Sequence, residues 1–183
     1  MNFQKLLVLG GARSGKSRHA QAWCEALPGR LAYIATAEAF DSEMADKIAR
    51  HRMDRGPRWR TIEAPFELPG AILHAAQEAD VILVDCLTLW LSNLLLAEAD
   101  IAADAALLAE AIRKSAAPIV LVANEVGLSI VPDNALARRF RDEAGWLNQQ
   151  VAALCDAVAF VAAGLPIMLK DGAGGARLGI SVT

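Results

Sequence analysis

Short apolar runs alternate along the chain with longer segments in which apolar residues recur every three to four positions. The short runs, which predict strands, are residues 5–9, 31–35, 81–84, 118–122 and 157–161. Because they show no polar alternation, they are typical of strands that are buried on both faces of a parallel sheet. The periodic segments predict helices at 17–27, 71–79, 87–96, 102–114 and about 133–154.

One further helix is predicted between the second and third strands. It begins at Asp41 or Ser42 and runs to about Arg55, where Gly56 and Pro57 end it. The segment after it, which contains Trp59 and Glu63, is predicted to be a loop. Strands that alternate with helices in this way predict a three-layer α/β fold, with a mostly parallel sheet between two layers of helices.

No repeat and no interior linker interrupts this alternation. We therefore expect one domain over residues 1–170, followed by a glycine-rich tail at 171–183. The 18 basic and 21 acidic side chains give a net charge of −3. A general basic surface for nucleic acid is not expected, and any anion site must be local.

The cysteines and the apolar segments bear on the compartment. The three cysteines are odd in number, lie far apart and form no C-x-x-C pair: Cys24, Cys86 and Cys155. Such cysteines are typical of a reduced, cytoplasmic protein. The N-terminus shows no signal-peptide pattern, and Asp85 and Asn93 interrupt the longest apolar stretch, so no transmembrane segment is expected.

A glycine-rich motif follows the first predicted strand and opens the first helix. It fits G-x-x-x-x-G-K-[ST] with Gly10, Gly11, Ala12, Arg13, Ser14, Gly15, Lys16 and Ser17. Such a P-loop wraps a phosphate with backbone N–H groups and presents a helix N-terminus to it. Lys16 is expected to reach the β- and γ-phosphates, and the Ser17 hydroxyl to bind Mg²⁺. The motif refines the predicted fold to that of a P-loop NTPase.

A carboxylate at the end of a neighbouring strand is expected to help hold Mg²⁺. Asp85 directly follows the third apolar run and suits this role, although an aspartate there also serves as an ordinary helix cap. The chain has no N-K-x-D motif for guanine, and its D-x-x-G lies in a helical pattern at 142–145. A switch GTPase is therefore not expected.

The predicted helix that ends near residue 55 carries a histidine among cations. His51 shares a stripe with Met44, Ile48 and Arg55, at spacings typical of one helix face. The arginines nearby are Arg50, Arg52, Arg55, Arg58 and Arg60. Two interpretations are open: the cations stabilise a helix C-terminus, or His51 is a nucleophile on phosphorus and the arginines bind a polyphosphate.

The remaining polar candidates are less distinctive. His19 and His74 lie in helical patterns without a comparable cluster of arginines, and we interpret them as structural. Asn124 and Glu125 follow the fourth predicted strand, where α/β sheets bind ligands, but a structural turn explains them equally well.

A series of motifs in this chain resembles the bifunctional adenosylcobinamide kinase/adenosylcobinamide-phosphate guanylyltransferases of cobalamin synthesis. The motifs run in order to about Lys170, which makes the series far more specific than the P-loop alone. They are residues 10–20, 33–36, 41–44, 48–55, 59–63, 85–93, 124–127, 131–132, 136–138, 140–142, 145, 148–149 and 164–166.

The resemblance implies an enzyme with two steps. The first would phosphorylate the aminopropanol hydroxyl of adenosylcobinamide with ATP or GTP. The second would transfer GMP from GTP to adenosylcobinamide phosphate through a histidine intermediate, which gives adenosyl-GDP-cobinamide and pyrophosphate. The family's guanylylated histidine corresponds to His51. Its nucleotide contacts correspond to residues 10–17, Ala35, Thr36, Ala37, Arg52, Met53, Asp54, Arg55, Glu63 and Asp85.

Two alternatives stay open at this point: a P-loop kinase of another small molecule, and a non-catalytic nucleotide-binding partner. The resemblance also implies a homo-oligomer, specifically a trimer. The apolar residues Trp90 and Leu91, beside the run 94–96, suggest more apolar surface than one sheet covers.

Overall fold

The computed structural model describes residues 3–37 and 56–171. The helix predicted to end near Arg55 lies outside these residues, as does the tail beyond Asp171. Within them are seven strands: β1 (Lys5–Gly10), β2 (Leu31–Ala35), β3 (Trp59–Glu63), β4 (Val81–Asp85), β5 (Ile119–Asn124), β6 (Ala157–Ala162) and β7 (Leu165–Asp171). The helices there are α1 (Lys16–Glu25), α2 (Leu68–Glu78), α3 (Leu87–Leu96), α4 (Ile101–Lys114) and α5 (Ala135–Leu154).

The strands form one sheet in the order β3-β2-β4-β5-β1-β6-β7. All neighbours are parallel except β6 and β7, which form an antiparallel hairpin. Because the strands alternate with helices along the chain, the C-terminal ends of the six parallel strands meet at one edge. The prediction of a mostly parallel sheet in a P-loop α/β fold is confirmed.

Side chains from the two faces of the sheet enter separate cores. On one face, Leu6 and Val8 of β1 pack with Ala20 and Cys24 of α1. On the other, their neighbours Leu7 and Leu9 join a larger core to which α2, α3, α4 and α5 all contribute. Successive residues of a strand point to opposite faces, so an uninterrupted apolar strand needs a cover on both. The predicted helices on both faces are confirmed.

The prediction missed the two strands at the edges of the sheet. The loop expected around Trp59 and Glu63 is wrong, because these residues begin and end strand β3. Strand β7 follows β6 after a tight turn and was likewise not predicted. An edge strand is paired on one side and partly exposed, and in β3 the polar residues Arg60, Thr61 and Glu63 mask the apolar signal. In β7 the run is apolar but contains Pro166, which argues against a strand when only the sequence is read.

Most of the apolar helix α3 is buried in the core of the chain itself. Trp90 is 1% exposed, and Leu91 and Leu94 are buried with it. Trp90 Nε1 also donates a hydrogen bond to the Phe66 carbonyl at 2.8 Å. Leu96, at the end of the run 94–96, is 62% exposed, so only this end of the helix offers apolar surface. Other large exposed apolar side chains include Leu128, Ile130, Val131, Leu136 and Trp146.

All three cysteines are free and buried. Burial raises the pKa of the Cys24 and Cys155 thiols to about 12, so both stay protonated near neutral pH. Free buried thiols agree with the prediction that the chain has no disulfide. Among the described helices, none has both the length and the apolar composition that crossing a membrane requires.

Candidate active site

The P-loop joins β1 to α1 at the C-terminal edge of the sheet. Gly15 is the N-cap of α1, with a φ of +94°, a conformation that favours glycine. No side chain caps the N-terminus of α1. The N–H groups of the first turn are therefore available to an anion, and the helix dipole favours a negative charge there.

The first half of the loop is tightly packed. A Cβ atom on Gly10 would lie 2.5 Å from both Ser14 Oγ and the Val161 carbonyl oxygen, so only glycine fits. Ser14 is 9% exposed, and its hydroxyl has no hydrogen-bond partner among the described residues. A buried polar atom without a partner is costly, so this hydroxyl indicates a ligand that would satisfy it.

Lys16 is the charged centre of the loop. Its side chain is 9% exposed, and Nζ donates a hydrogen bond to the Gly11 carbonyl at 3.1 Å. The ammonium group is thus held against the loop that would surround a phosphate. A buried ammonium group is expensive unless an anion binds beside it.

A cavity of about 420 Å³ lies between the P-loop, the start of α1 and Gly164. Its lining contains three cationic side chains and no carboxylate: Arg13, Ser14, Gly15, Lys16, Ser17, Arg18 and Gly164. Such a lining suits a polyanion, and the volume suits part of a nucleotide. Arg18 and Gly164 were not predicted to be site residues.

The turn between β6 and β7 forms the wall of this cavity and is tied to the loop. Gly164 N donates to the Ser14 carbonyl at 2.9 Å. His19 Nε2 lies 2.8 Å from the Gly164 carbonyl oxygen, and because a carbonyl only accepts, Nε2 carries the hydrogen. The structural role predicted for His19 is therefore specific, since it fastens the turn to α1.

Asp85 ends β4 at the same edge of the sheet. Strand β5 lies between β4 and β1, so the expectation of an adjacent strand is wrong: Asp85 is on the second strand from the P-loop. Helix α1 packs across β1, β5 and β4, so it contacts both the strand before the P-loop and the strand that carries Asp85. Burial, together with the charge of Asp85, raises the pKa of the Cys86 thiol to about 11, while the charge of Lys16 acts in the opposite direction. Both charges therefore act at this position.

Thr36 fixes the backbone around Asp85. Its hydroxyl donates to the Cys86 carbonyl at 2.7 Å and accepts from the Cys86 N–H at 2.8 Å. Thr36 N donates to the Asp85 carbonyl at 3.4 Å, and Asn93 Nδ2 donates to the Thr36 carbonyl at 2.9 Å. Thr36 is fully buried, and its side chain joins β2 to β4.

Three of the predicted nucleotide contacts lie in one row. The strand register places Glu63, Ala35 and Asp85 side by side at the ends of β3, β2 and β4. Ala37 follows Thr36 and is half-buried. The remaining predicted contacts lie outside the described residues: His51, Arg52, Met53, Asp54 and Arg55.

Asn124 and Glu125 lie between the P-loop and Asp85. Asn124 is level with Gly10 across the β1–β5 pair, and Glu125 N donates to the Gly10 carbonyl at 3.1 Å. Glu125 Oε1 accepts a hydrogen bond from Gly127 N at 2.6 Å. The sequence did not decide whether these residues contact a ligand or form a structural turn. The order of the strands places them at the centre of the site.

The chemistry of the donor set fits Mg²⁺. Mg²⁺ prefers oxygen ligands and is commonly held by one or two side chains, together with phosphate oxygens and water. Ser17 supplies a hydroxyl at the start of α1, and Asp85 supplies a carboxylate at the end of β4. Among the described residues, no three His, Cys, Asp or Glu side chains converge as a metal site.

Comparisons with known proteins agree with this site. The model of the family described as cobinamide kinase / cobinamide phosphate guanyltransferase matches residues 6–169. The chain is 47% identical to the bifunctional adenosylcobalamin biosynthesis protein CobP of Pseudomonas aeruginosa over 166 residues, which cover 90% of this chain and 96% of that protein. It is 41% identical to the bifunctional adenosylcobalamin biosynthesis protein CobU of Salmonella typhimurium over 180 residues, covering 90% and 99% of the two chains.

Among solved structures, a Pyrococcus horikoshii OT3 protein (project PH0250) superposes with a TM-score of 0.56 at 7% identity. The match covers 93% of this chain and 88% of that one, and it shows a shared fold. The family match spans the P-loop, the Asp85 strand and the β6–β7 turn, which are the elements that build the site. The chain belongs to the cobinamide kinase / cobinamide phosphate guanyltransferase family.

Proposed function

We propose that this protein phosphorylates adenosylcobinamide with ATP or GTP and then transfers GMP from GTP to the phosphate so formed. The observation that carries the proposal is the P-loop, with a buried Lys16 and an unpartnered Ser14 hydroxyl, in a chain that matches this family over residues 6–169. The product would be adenosyl-GDP-cobinamide, with pyrophosphate as the second product.

In the kinase step, the hydroxyl oxygen of the acceptor forms a bond to the γ-phosphorus. The bond from that phosphorus to the β–γ bridging oxygen breaks, the nucleoside diphosphate leaves with the electron pair, and the hydroxyl proton passes to solvent. Lys16 and the N–H groups of α1 stabilise the phosphate charge. Such a transfer needs little covalent help from the protein beyond positioning.

In the guanylyl step, a ring nitrogen of His51 attacks the α-phosphorus of GTP and pyrophosphate leaves. A phosphate oxygen of adenosylcobinamide phosphate then attacks the same phosphorus and releases the imidazole. A covalent histidine intermediate divides one displacement into two in-line steps. The assignment of His51 rests on the family resemblance, as do the nucleotide contacts proposed for Arg52, Met53, Asp54 and Arg55.

We assign Mg²⁺ to Ser17 and Asp85. Bound there, Mg²⁺ would neutralise charge on the phosphate oxygens during transfer. Asp85 is fixed for this role by Thr36, which holds the neighbouring Cys86 backbone through one hydroxyl. Ala35, Thr36, Ala37 and Glu63 complete the proposed nucleotide contacts near the ends of β2 and β3.

The decisive test combines product analysis with covalent labelling. Incubation with adenosylcobinamide, GTP and Mg²⁺ is expected to give both the phosphate and the GDP derivative by mass spectrometry. [α-³²P]GTP is expected to label the protein, and the label should be released by acid and survive alkali, as a phosphorus–nitrogen bond to imidazole does. His51→Ala should abolish labelling and leave the kinase step.

His74→Ala is the matched control, because His74 is an exposed histidine whose recorded ion-pair partner is Glu78. Undiminished labelling of His51→Ala, or a label stable in acid, would contradict the proposed nucleophile. Phosphorylation of adenosylcobinamide without any labelling would favour a simple P-loop kinase. Failure to consume nucleotide when the corrinoid is present would favour a non-catalytic binding protein.

We also propose that the protein is a homo-oligomer, specifically a trimer, and that it works in the cytoplasm. The exposed apolar side chains of the segment after β5 support an interface, since Ile130 is 93% exposed and Leu128 is 81% exposed. The three free, buried thiols support a reducing compartment. Sedimentation is expected to show three subunits, and a monomer at micromolar concentration would contradict the assembly.

A further inference from the structure

In the kinase step, the acceptor hydroxyl loses its proton as its oxygen bonds to phosphorus. A side chain positioned to accept that proton typically accelerates such a reaction by about 10²- to 10⁴-fold. Lys16 is a cation that neutralises phosphate charge, and Asp85 is the proposed Mg²⁺ ligand. A group that receives the proton is therefore to be sought among the other side chains at the same edge of the sheet.

The direction from which the acceptor arrives follows from the position of the donor. The attacking and leaving oxygens lie roughly in line through the transferred phosphorus, so donor and acceptor lie on opposite sides of it. The cation-lined cavity for the donor includes Gly164 and lies on the β6 side of β1. Because Lys16 reaches the terminal phosphate in a P-loop, the acceptor hydroxyl approaches that phosphate from the β5 side.

Of the three carboxylates at the described strand ends on this side, Glu125 is nearest to the P-loop. Neighbouring strands lie about 4.8 Å apart, and β5 pairs directly with β1. The sheet order places Asp85 roughly 10 Å and Glu63 roughly 19 Å from β1. Glu125 follows β5 immediately, and its backbone N–H donates to the Gly10 carbonyl of the P-loop at 3.1 Å.

The side chain of Glu125 is held in a defined position. Its Oε1 accepts a hydrogen bond from Gly127 N at 2.6 Å. A Cβ on Gly127 would lie 2.9 Å from the same oxygen, so glycine lets the carboxylate lie against the backbone of this loop. Glu125 is half-buried. An ionised carboxylate accepts about four hydrogen bonds, so one anchoring N–H leaves it able to accept a hydroxyl proton.

We propose that Glu125 is the general base of the kinase step. As the hydroxyl oxygen of adenosylcobinamide bonds to the γ-phosphorus, its proton passes to a carboxylate oxygen of Glu125. The bond from the phosphorus to the β–γ bridging oxygen breaks, and its electron pair leaves with the nucleoside diphosphate. The proton then passes from Glu125 to solvent. The proposal rests on the proposed function, because it adds a residue to the first of its two steps.

The guanylyl step needs no such base, and this difference provides the test. The imidazole of His51 and the phosphate oxygen of adenosylcobinamide phosphate both attack through atoms that carry no proton. Loss of the Glu125 carboxylate is therefore expected to slow phosphorylation of adenosylcobinamide and to spare transfer of GMP to adenosylcobinamide phosphate. Both reactions are measured on one protein, the first with ATP and the second with GTP.

Glu125→Gln is the principal variant, because its side-chain oxygen can still accept from Gly127 N but cannot take up the proton. We expect the kcat for phosphorylation to fall about 10²-fold and the rate of GMP transfer to change less than threefold. The Mg²⁺ concentration for half-maximal phosphorylation should stay the same. Glu98→Gln is the matched control, because Glu98 is an exposed glutamate just after the C-terminal end of α3.

Gly127→Ala tests the position of the carboxylate without removing it. The added Cβ displaces Oε1, so we expect the kcat for phosphorylation to fall about tenfold while GMP transfer changes less than threefold. Gly70→Ala is its control, because a Cβ on this exposed glycine of α2 meets no atom within 4 Å. Melting temperatures check the fold, and this pair decides if Glu125→Gln does not fold.

Three results would each overturn the assignment of Glu125. They are a kcat of Glu125→Gln within threefold of that of Glu98→Gln, equal losses of phosphorylation and GMP transfer in a folded Glu125→Gln, or recovery of its kcat at high Mg²⁺, which would make Glu125 a metal ligand. Wild-type protein that does not phosphorylate adenosylcobinamide would contradict the proposed function itself. Equal phosphorylation by wild-type and Glu125→Gln proteins would contradict the base alone.

Discussion

The two sides of β1 differ in charge at the edge where the site lies. On the β5 side, the strand ends carry carboxylates: Glu125 follows β5, Asp85 ends β4 and Glu63 ends β3. On the β6 side, the strand leads into the uncharged turn of Ala163 and Gly164, and the charges there are the arginines of the P-loop and α1. Lys16 lies between the two sides.

This difference separates two tasks that one loop has to perform. Carboxylates hold Mg²⁺ and accept protons, whereas guanidinium groups bind phosphate oxygens directly. A site with both on one side would pair its own charges and lose them for the ligand. Among the described residues at this edge, the carboxylates and the arginines of the P-loop and α1 lie on opposite sides of β1.

The comparison predicts that Lys16, at the centre, serves both reactions. Lys16→Ala removes the ammonium that neutralises phosphate charge, and we expect kinase turnover and labelling by [α-³²P]GTP each to fall about 10³-fold. The measurements are product formation, labelling and the melting temperature. Lys114→Ala, on the exposed face of α4, is the matched control. Near-normal kinase activity of a folded Lys16→Ala protein would remove the P-loop from the mechanism.

Asp85 tests the acidic side alone. Asp85→Asn keeps the shape of the side chain and removes the charge, so we expect kinase turnover to fall about 10²-fold and the Mg²⁺ requirement to rise. Titration of the rate with Mg²⁺ measures both effects. Asp100→Asn is the control, because Asp100 caps α4 by accepting from Ala103 N and asparagine also caps well. An unchanged Mg²⁺ dependence would contradict the proposed metal ligand.

Local sequence was sufficient for the parts of the fold that are buried on both sides. Strands β1, β2, β4, β5 and β6 are continuous apolar runs, and helix α5 begins after Asn134, which caps it by accepting from Ala137 N. The P-loop could also be predicted from local sequence. Gly10 has no room for a side chain and Gly15 has a positive φ, so both positions require the glycines that define the motif. In each case the determinant lies within a few residues.

The missing parts depend on residues far apart in the chain. His19 and Gly164 are separated by 145 positions, and only the order of β1 and β6 in the sheet brings them together. The same holds for Glu125, which meets Gly10 because β5 pairs with β1. A parallel sheet allows many strand orders for one sequence of elements, so local patterns could not select these contacts.

The smallest predicted effect concerns the wall of the β6 side. His19→Leu removes the donor to the Gly164 carbonyl while it keeps an apolar side chain beside Trp23, whose ring lies 5.9 Å from that of His19. One neutral hydrogen bond contributes about 1 kcal/mol, so we expect the KM for ATP in the kinase step to rise about fivefold. Labelling by [α-³²P]GTP should change less than twofold, because the described contacts proposed for guanosine lie at the ends of β2, β3 and β4.

A conservative variant distinguishes this positioning role from a loss of stability. The side-chain amide of His19→Gln can donate to the same carbonyl, so we expect it to restore the KM for ATP even if the melting temperature stays low. His19→Leu and His19→Gln that share one raised KM would show that the imidazole ring, and not its hydrogen bond, is what the turn requires. A His19→Leu protein with a lower kcat and an unchanged KM would contradict a role of the β6–β7 turn in nucleotide binding.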